Sequence, residues 1–175
     1  SGEDLNRGSK LVIAACGNPI RQLASKSVEL KSIRLPAGFC GVSVVADGIL
    51  GVQAPEFTTY ERQQQQLEEL SKTLAPQQLL DSYPLVVLVD DHEFVAKSFA
   101  NFLWVTFTRS NPSHDVSGVG SFIKFKHWGC RGSLVIDARI KPHHAPALLE
   151  TRKVELNAKS CVSKHIKANP SLCFS

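Results

Sequence analysis

Two rhythms of apolar and polar residues divide this chain. Short runs in which nearly every residue is apolar read as strands. Longer stretches with apolar residues three and four apart read as helices. Residues 11–15 (LVIAA) form the first short run. Gly17, Asn18 and Pro19 interrupt it, and Asn before Pro predicts a helix start, with Ile20, Leu23, Ala24 and Val28 at helical spacing. Residues 42–46 (VSVVA) predict a second strand. Residues 49–52 (ILGV) predict its extension or its hairpin partner across the turn signal Asp47-Gly48. The clearest helix covers residues 56–74, where Tyr60, Leu67, Leu70 and Leu74 share a face. Thr58 and Glu61 give a capping-box pattern, and Pro76 ends the helix. The glutamines at 63–66 suit its solvent side.

The second half repeats the alternation. Residues 85–89 (LVVLV) are apolar throughout, as in a strand covered on both faces by helices. Val95, Phe99, Phe102, Leu103 and Phe107 predict one helix over residues 93–107, followed by a loop, SNPSHDVSG. Residues 122–128 (FIKFKHW) alternate like a half-exposed strand, and residues 133–138 (SLVIDA) read as another buried one. Val154, Ala158, Val162 and Ile166 suggest a terminal amphipathic helix stopped at Pro170. Strands alternating with helices predict an α/β fold, a three-layer αβα domain with a mostly parallel central sheet. A lead-in covers residues 1–34, the domain proper 35–150, and a basic helix or tail 151–175.

Charge changes this picture only at the end of the chain. Acidic and basic side chains balance through residue 150. Residues 151–175 hold Arg152, Lys153, Lys159, Lys164 and Lys167 against Glu155, and so carry the whole net charge of +4. A nucleic-acid binder shows a basic stripe interleaved with aromatics on a folded face; this excess reads as the solvated side of a terminal helix. The five cysteines are widely spaced, with no C-x-x-C pair, which predicts ordinary, mostly buried thiols in a reducing, cytoplasmic setting. No apolar run approaches the roughly 20 residues needed to cross a bilayer. The chain contains no methionine, which predicts excision from a longer protein.

In parallel sheets, ligands gather at the carboxyl ends of the strands. Asp90, Asp91 and Asp137 each follow a predicted strand. Paired carboxylates there can hold a divalent cation. They can equally cap the next helix, the simpler reading. The acidic pair also looks like the first strand end of a response-regulator receiver domain. Too much chain precedes it, and too little follows Asp137, for that layout. His143-His144 reads as a solvated loop, because adjacent residues on extended backbone point apart. No nucleophile elbow or phosphate-binding glycine loop is present.

The stretch VVLVDDHEFVAKSFANFLWVTFTRSNPSHDV resembles the C-terminal domain of the UbiD-type decarboxylases. The shared pattern is the strand at 85–89, Asp90-Asp91, Leu103-Trp104, Thr108-Arg109, Pro112 and Asp115. GSLVIDARIK resembles a further family stretch at Ser133, Ile136, Asp137 and Ala138, with Leu134 where the family has lysine. LPAGFCGVSVVA resembles the segment that leads into this domain, so the likeness covers roughly residues 35–140. The resemblance implies a longer parent, a carboxy-lyase for aromatic or unsaturated acids that uses prenylated FMN with a divalent metal. Its catalytic residues and metal ligands belong to the part upstream of this domain. This chain is then expected to be inactive alone, to hold no cofactor, and to pack against that upstream part in a homo-oligomer. Asp90, Asp91, Trp104, Arg109, Pro112, Asp115 and Asp137 keep structural or cleft roles. The alternative is a stand-alone α/β module that binds a metal or small ligand at the strand ends.

A terminal helix with an apolar stripe needs a surface to cover it. In a dilute monomer the amides of residues 154–166 are expected to exchange hydrogen faster than those of Leu85–Val89. Equal protection would place that helix in this domain's own core.

Overall fold

The computed structural model describes residues 12, 14, 16–24, 30–77 and 81–144. The chain divides after Pro142, and of the part beyond only His143 and His144 are described. The expected terminal helix therefore lies outside the described residues, as do Cys161 and Cys173.

The run Leu85–Val89 (β3) sets the architecture. Val86 and Leu88 point to one face of the sheet, Val87 and Val89 to the other, and all four are fully buried. A strand can be apolar at every position only if both faces are covered. Here they are. On one side α1 (Tyr60–Leu74) supplies Leu70 and Leu74, which join Leu50, Val52, Tyr83 and Val135. On the other, α2 (His92–Lys97) and α3 (Phe99–Arg109) supply Val95, Phe102 and Val105 against Val45 and Ile136. This is the expected three-layer α/β arrangement. The sheet order is β1-β2-β3-β7-β4. The inner strands β2 (Ile49–Gln53), β3 and β7 (Leu134–Asp137) run parallel. The edge strands β1 (Gly41–Ala46) and β4 (Val116–Gly118) run antiparallel to their neighbours. β4 was expected as loop; three residues carry too little pattern to announce a strand.

Asp47-Gly48 turns β1 into β2 as expected, with Gly48 in the left-handed region at φ 74°. Asp91 caps α2, accepting from the Phe94 backbone N–H at 2.9 Å. Against β1, the His92 ring lies where a side chain at residue 41 would sit, so a larger residue there would have to push the ring aside. His92 Nδ1 also bonds the Ser43 hydroxyl at 2.7 Å.

Several expectations need correction. The helix expected over 93–107 is two helices. Ser98 is extended (φ −155°, ψ 152°), ends α2, and caps α3 by accepting from the Asn101 N–H at 3.1 Å. α1 begins at Tyr60 rather than residue 56, and its cap is Thr59 rather than Thr58. The FIKFKHW alternation is a hairpin, β5 (Ser121–Lys124) and β6 (His127–Cys130), turning through Phe125 and Lys126 at positive φ. The lead-in forms neither strand nor helix among its described residues up to Ala24. Val12 and Ile20 are largely exposed, and its backbone is tied to loops by bonds between Ala24 and Ser82 and between Gly48 and Ala24. Cys16 and Cys40 are exposed and Cys130 half-buried, against the expectation of buried thiols.

Leu88→Ala is expected to cost about 2–5 kcal/mol through a core cavity. Asp91→Ala should cost about 0.5–2 kcal/mol through a lost cap. Urea melts that ranked the two the other way would overturn this placement of β3.

Candidate functional site

Asp137 at the end of β7, and Arg139 and Lys141 just beyond it, are spaced two apart and their side chains meet. All three are buried, as is Asp115 in the loop that leads from α3 to β4. Asp137 and Arg139 form a bidentate pair: Nε donates at 3.0 and 3.1 Å and Nη2 at 2.6 Å. The remaining guanidinium nitrogen, Nη1, donates to the Pro55 carbonyl at 2.6 Å and to Gln66 Oε1 at 2.8 Å. Lys141 Nζ lies 3.2 Å from Asp115 Oδ2 and 3.8 Å from Asp137 Oδ1. It also donates to the Asp137 carbonyl at 3.1 Å and the Arg109 carbonyl at 3.3 Å. Asp115 accepts from Gln63 Nε2 at 2.9 Å and the Asn111 N–H at 2.6 Å. The Phe57 ring covers both cations, with its centroid 5.8 Å from the guanidinium carbon and 5.6 Å from Nζ. Tyr60 stands at the rim. Burial raises its phenol above the usual tyrosine range, and the charges of Asp115 and Asp137 add to that.

A second, shallower group lies beside it. Asp90 accepts from Arg109 Nη1 at 3.1 Å and from the Ile140 N–H at 2.9 Å. The Arg109 guanidinium stacks over Trp104 at 5.2 Å. The two groups are linked through Arg109, whose carbonyl accepts from Lys141. An open cleft of about 380 Å³ at the strand ends is lined by Gln53, Ala54, Glu56, Asp90 and Ile140.

The residues singled out in the sequence thus fall in three places. Asp90, Trp104 and Arg109 form the shallow group. Asp115 and Asp137 anchor the buried one. Asp91 is a helix cap, and Pro112 is a half-buried residue of the turn before Asp115. Sequence reasoning missed Gln63, Gln66, Arg139 and Lys141. The glutamines are a correction: they were expected in solvent and are almost fully buried. Their phase was legible, since 63, 66/67, 70 and 74 continue the stripe that ends in Leu70 and Leu74.

Chemically, the charges of the buried group satisfy one another, while the Gln63 Oε1 beside them is buried without a hydrogen-bond partner. Each of its carboxylates already accepts from protein donors and faces a cation. Among the described residues, no group of three His, Cys, Asp or Glu is placed to hold a metal ion. The described residues therefore do not fit the divalent metal that the family resemblance implies.

No protein-family model matches the chain. Over 146 residues it is 28% identical to a 4-hydroxybenzoate decarboxylase subunit of Chlamydia pneumoniae, covering 82% of this chain and 22% of that protein. This likeness supports a UbiD-type related domain. The domain is also 27% identical over 175 residues to a protein of Chlamydia muridarum, covering 26% of it. It is 30% identical over 142 residues to one of Chlamydia trachomatis, covering 22%. The domain thus spans about a quarter of the length of the curated relatives it matches. Among solved structures, the open form of the vanillic acid decarboxylase of Sedimentibacter hydroxybenzoicus is 16% identical, with a TM-score of 0.41 over 72% of this chain and 29% of that one.

Asp137→Ala leaves Arg139 buried without its main partner, takes one of two carboxylates from Lys141, and is expected to cost about 3–5 kcal/mol. Asp90→Ala breaks a partly exposed pair and should cost about 1 kcal/mol or less. Guanidinium melts of both variants check this, and equal costs would mean the buried network does not hold the domain together.

Proposed function

We propose that this domain is the non-catalytic C-terminal part of a cytoplasmic UbiD-like decarboxylase for aromatic or unsaturated carboxylic acids. The observation that carries the reading is the engagement of the strand-end carboxylates. In an open α/β sheet that edge is where a ligand sits. Here Arg139, Lys141 and Arg109 occupy the acids, and the edge serves to fix α1, β7 and the loop before β4. A general acid or base has to exchange a proton with substrate. Asp115 and Asp137 are buried and committed to internal bonds.

The cofactor chemistry, prenylated FMN with a divalent metal, then belongs to another part of the parent, which fits a chain covering about a quarter of its relatives. The domain's task is packing, support of oligomerisation, and capping of the substrate cleft. A surface suited to that task is present. Phe99, Leu103 and Phe107 recur every fourth residue along α3, beside Trp104, and all are about half exposed. An apolar helical stripe of this kind is the usual mark of a face that meets another protein surface. The name of the Chlamydia pneumoniae relative, a decarboxylase subunit, accords with a partner chain.

Isothermal titration of the 175-residue chain with FMN and with prenylated FMN is expected to give no saturable binding. Micromolar affinity for either, roughly −8 kcal/mol, would overturn the reading and place part of the cofactor site in this domain.

A further inference from the structure

The β5–β6 hairpin has no role in the network or in the proposed packing stripe. Every residue from 121 to 128 is exposed. Exposure is 84% for Phe125 in the turn, 77% for Ile123 in β5, 49% for Trp128 and 40% for Phe122. Ile123 and Trp128 are cross-strand partners and share one face of the ribbon. The Phe122 ring covers Gly129 on the other, where a β-carbon would lie 2.9 Å from it. Lys124, Lys126 and Arg131 flank the aromatics. Lys124 sits 5.5 Å from the Phe125 ring and Arg131 5.7 Å from that of Phe122. Between Asp115 and Asp137 the sequence contains no acidic residue. The turn itself is held at φ 51° and 66° by Phe125 and Lys126, where glycine or asparagine would be relaxed. A bulky apolar side chain in that conformation is unfavourable for the isolated domain and points to a use for the side chain outside it.

We propose that this hairpin is an anchor to an anionic lipid surface. Phe125 at the turn enters the acyl boundary, Ile123 and its cross-strand partner Trp128 lie together at the boundary behind it, Phe122 sits nearer the headgroups, and Lys124, Lys126 and Arg131 meet the lipid phosphates. The graded exposure matches the graded polarity of a bilayer interface, in which apolar tips go deepest, indole rings sit at the boundary, and lysines reach back to the headgroups. Charge complementarity selects anionic lipid, since an acid-free cationic tip is drawn to a negatively charged surface. A protein partner fits less well. The exposed stretch 121–128 is far shorter than the roughly 20–30 residues a side of a stable interface. Single-stranded nucleic acid also fits less well, because it stacks on aromatic faces and has no use for an exposed aliphatic side chain such as Ile123.

The test is co-sedimentation of the full 175-residue chain with phosphatidylcholine vesicles, with and without phosphatidylglycerol. Binding is expected only with the anionic lipid, and to weaken with salt as screening shortens. Ile123→Ser with Phe125→Ser should lower the partition coefficient roughly tenfold or more, the factor that one large apolar side chain is worth. Both positions are exposed, so the fold is retained, which circular dichroism checks. In a Trp104→Phe background, Trp128 is the single indole; its emission should shift to the blue on binding and be quenched by brominated lipid. Four outcomes would overturn the proposal. They are no binding to anionic vesicles, unchanged binding by the double variant, binding to a single-stranded oligonucleotide but not to vesicles, and self-association that the double variant abolishes without any vesicle binding.

Discussion

Two acids and two bases buried side by side govern this fold. Removing a charge from water costs several kcal/mol even after relaxation, and the mutual attraction of a buried pair repays it only when the remaining donors and acceptors are also met. That condition explains features that otherwise look unrelated. Arg139 needs a backbone carbonyl, and Pro55 supplies it, which holds the segment before α1 in place and delays the helix until Tyr60. It needs a side-chain acceptor as well, and Gln66 supplies that from inside a helix. Asp115 needs three donors and draws one each from α1, the loop after α3, and Lys141. The network therefore fixes where one helix starts, where the chain goes after β7, and how the connection into β4 is closed.

The same network marks the limit of what the sequence discloses. The β3 run was legible because burial on both faces leaves only one composition possible, and the β1–β2 turn because Asp-Gly states its own geometry. Gln63 and Gln66 were misread by composition although their helical phase was right: polarity argued for solvent, while the buried Arg139 and Asp115 made polarity a requirement. Arg139 and Lys141 gave a signal in their alternate spacing with Asp137, but alternation of charges reads as a surface strand unless the partners are known. Ser98 was hidden for another reason. Apolar spacing runs unbroken from Val95 to Phe102, so nothing in the pattern shows that the backbone leaves the helix at one residue and re-enters it. The hairpin at 121–130 was hidden because its turn residues, Phe and Lys, are among the poorest for the conformation they adopt.

For function, the filled strand edge moves the domain's surface chemistry elsewhere. The carboxyl end of the sheet is spent on internal order, apart from the shallow cleft beside Asp90. What the domain offers outwardly is apolar: half-exposed rings on α3, and rings among lysines on the β5–β6 turn. The proposed associations, with the rest of a larger protein and with lipid, rest on these two surfaces.

The strand order has a consequence for the chain as it leaves the ribosome. β3 is the central strand, yet its neighbour β7 is made some 45 residues later. Until residues 134–137 emerge, one side of the most apolar strand in the domain has unpaired backbone groups, open to any other extended chain. Arg139 follows at once, and it joins residue 55, 84 positions earlier, to the finished sheet. Synthesis therefore closes the exposed edge and locks the charges in nearly the same moment, and a ribosome stalled before that point would hold a sticky half-sheet.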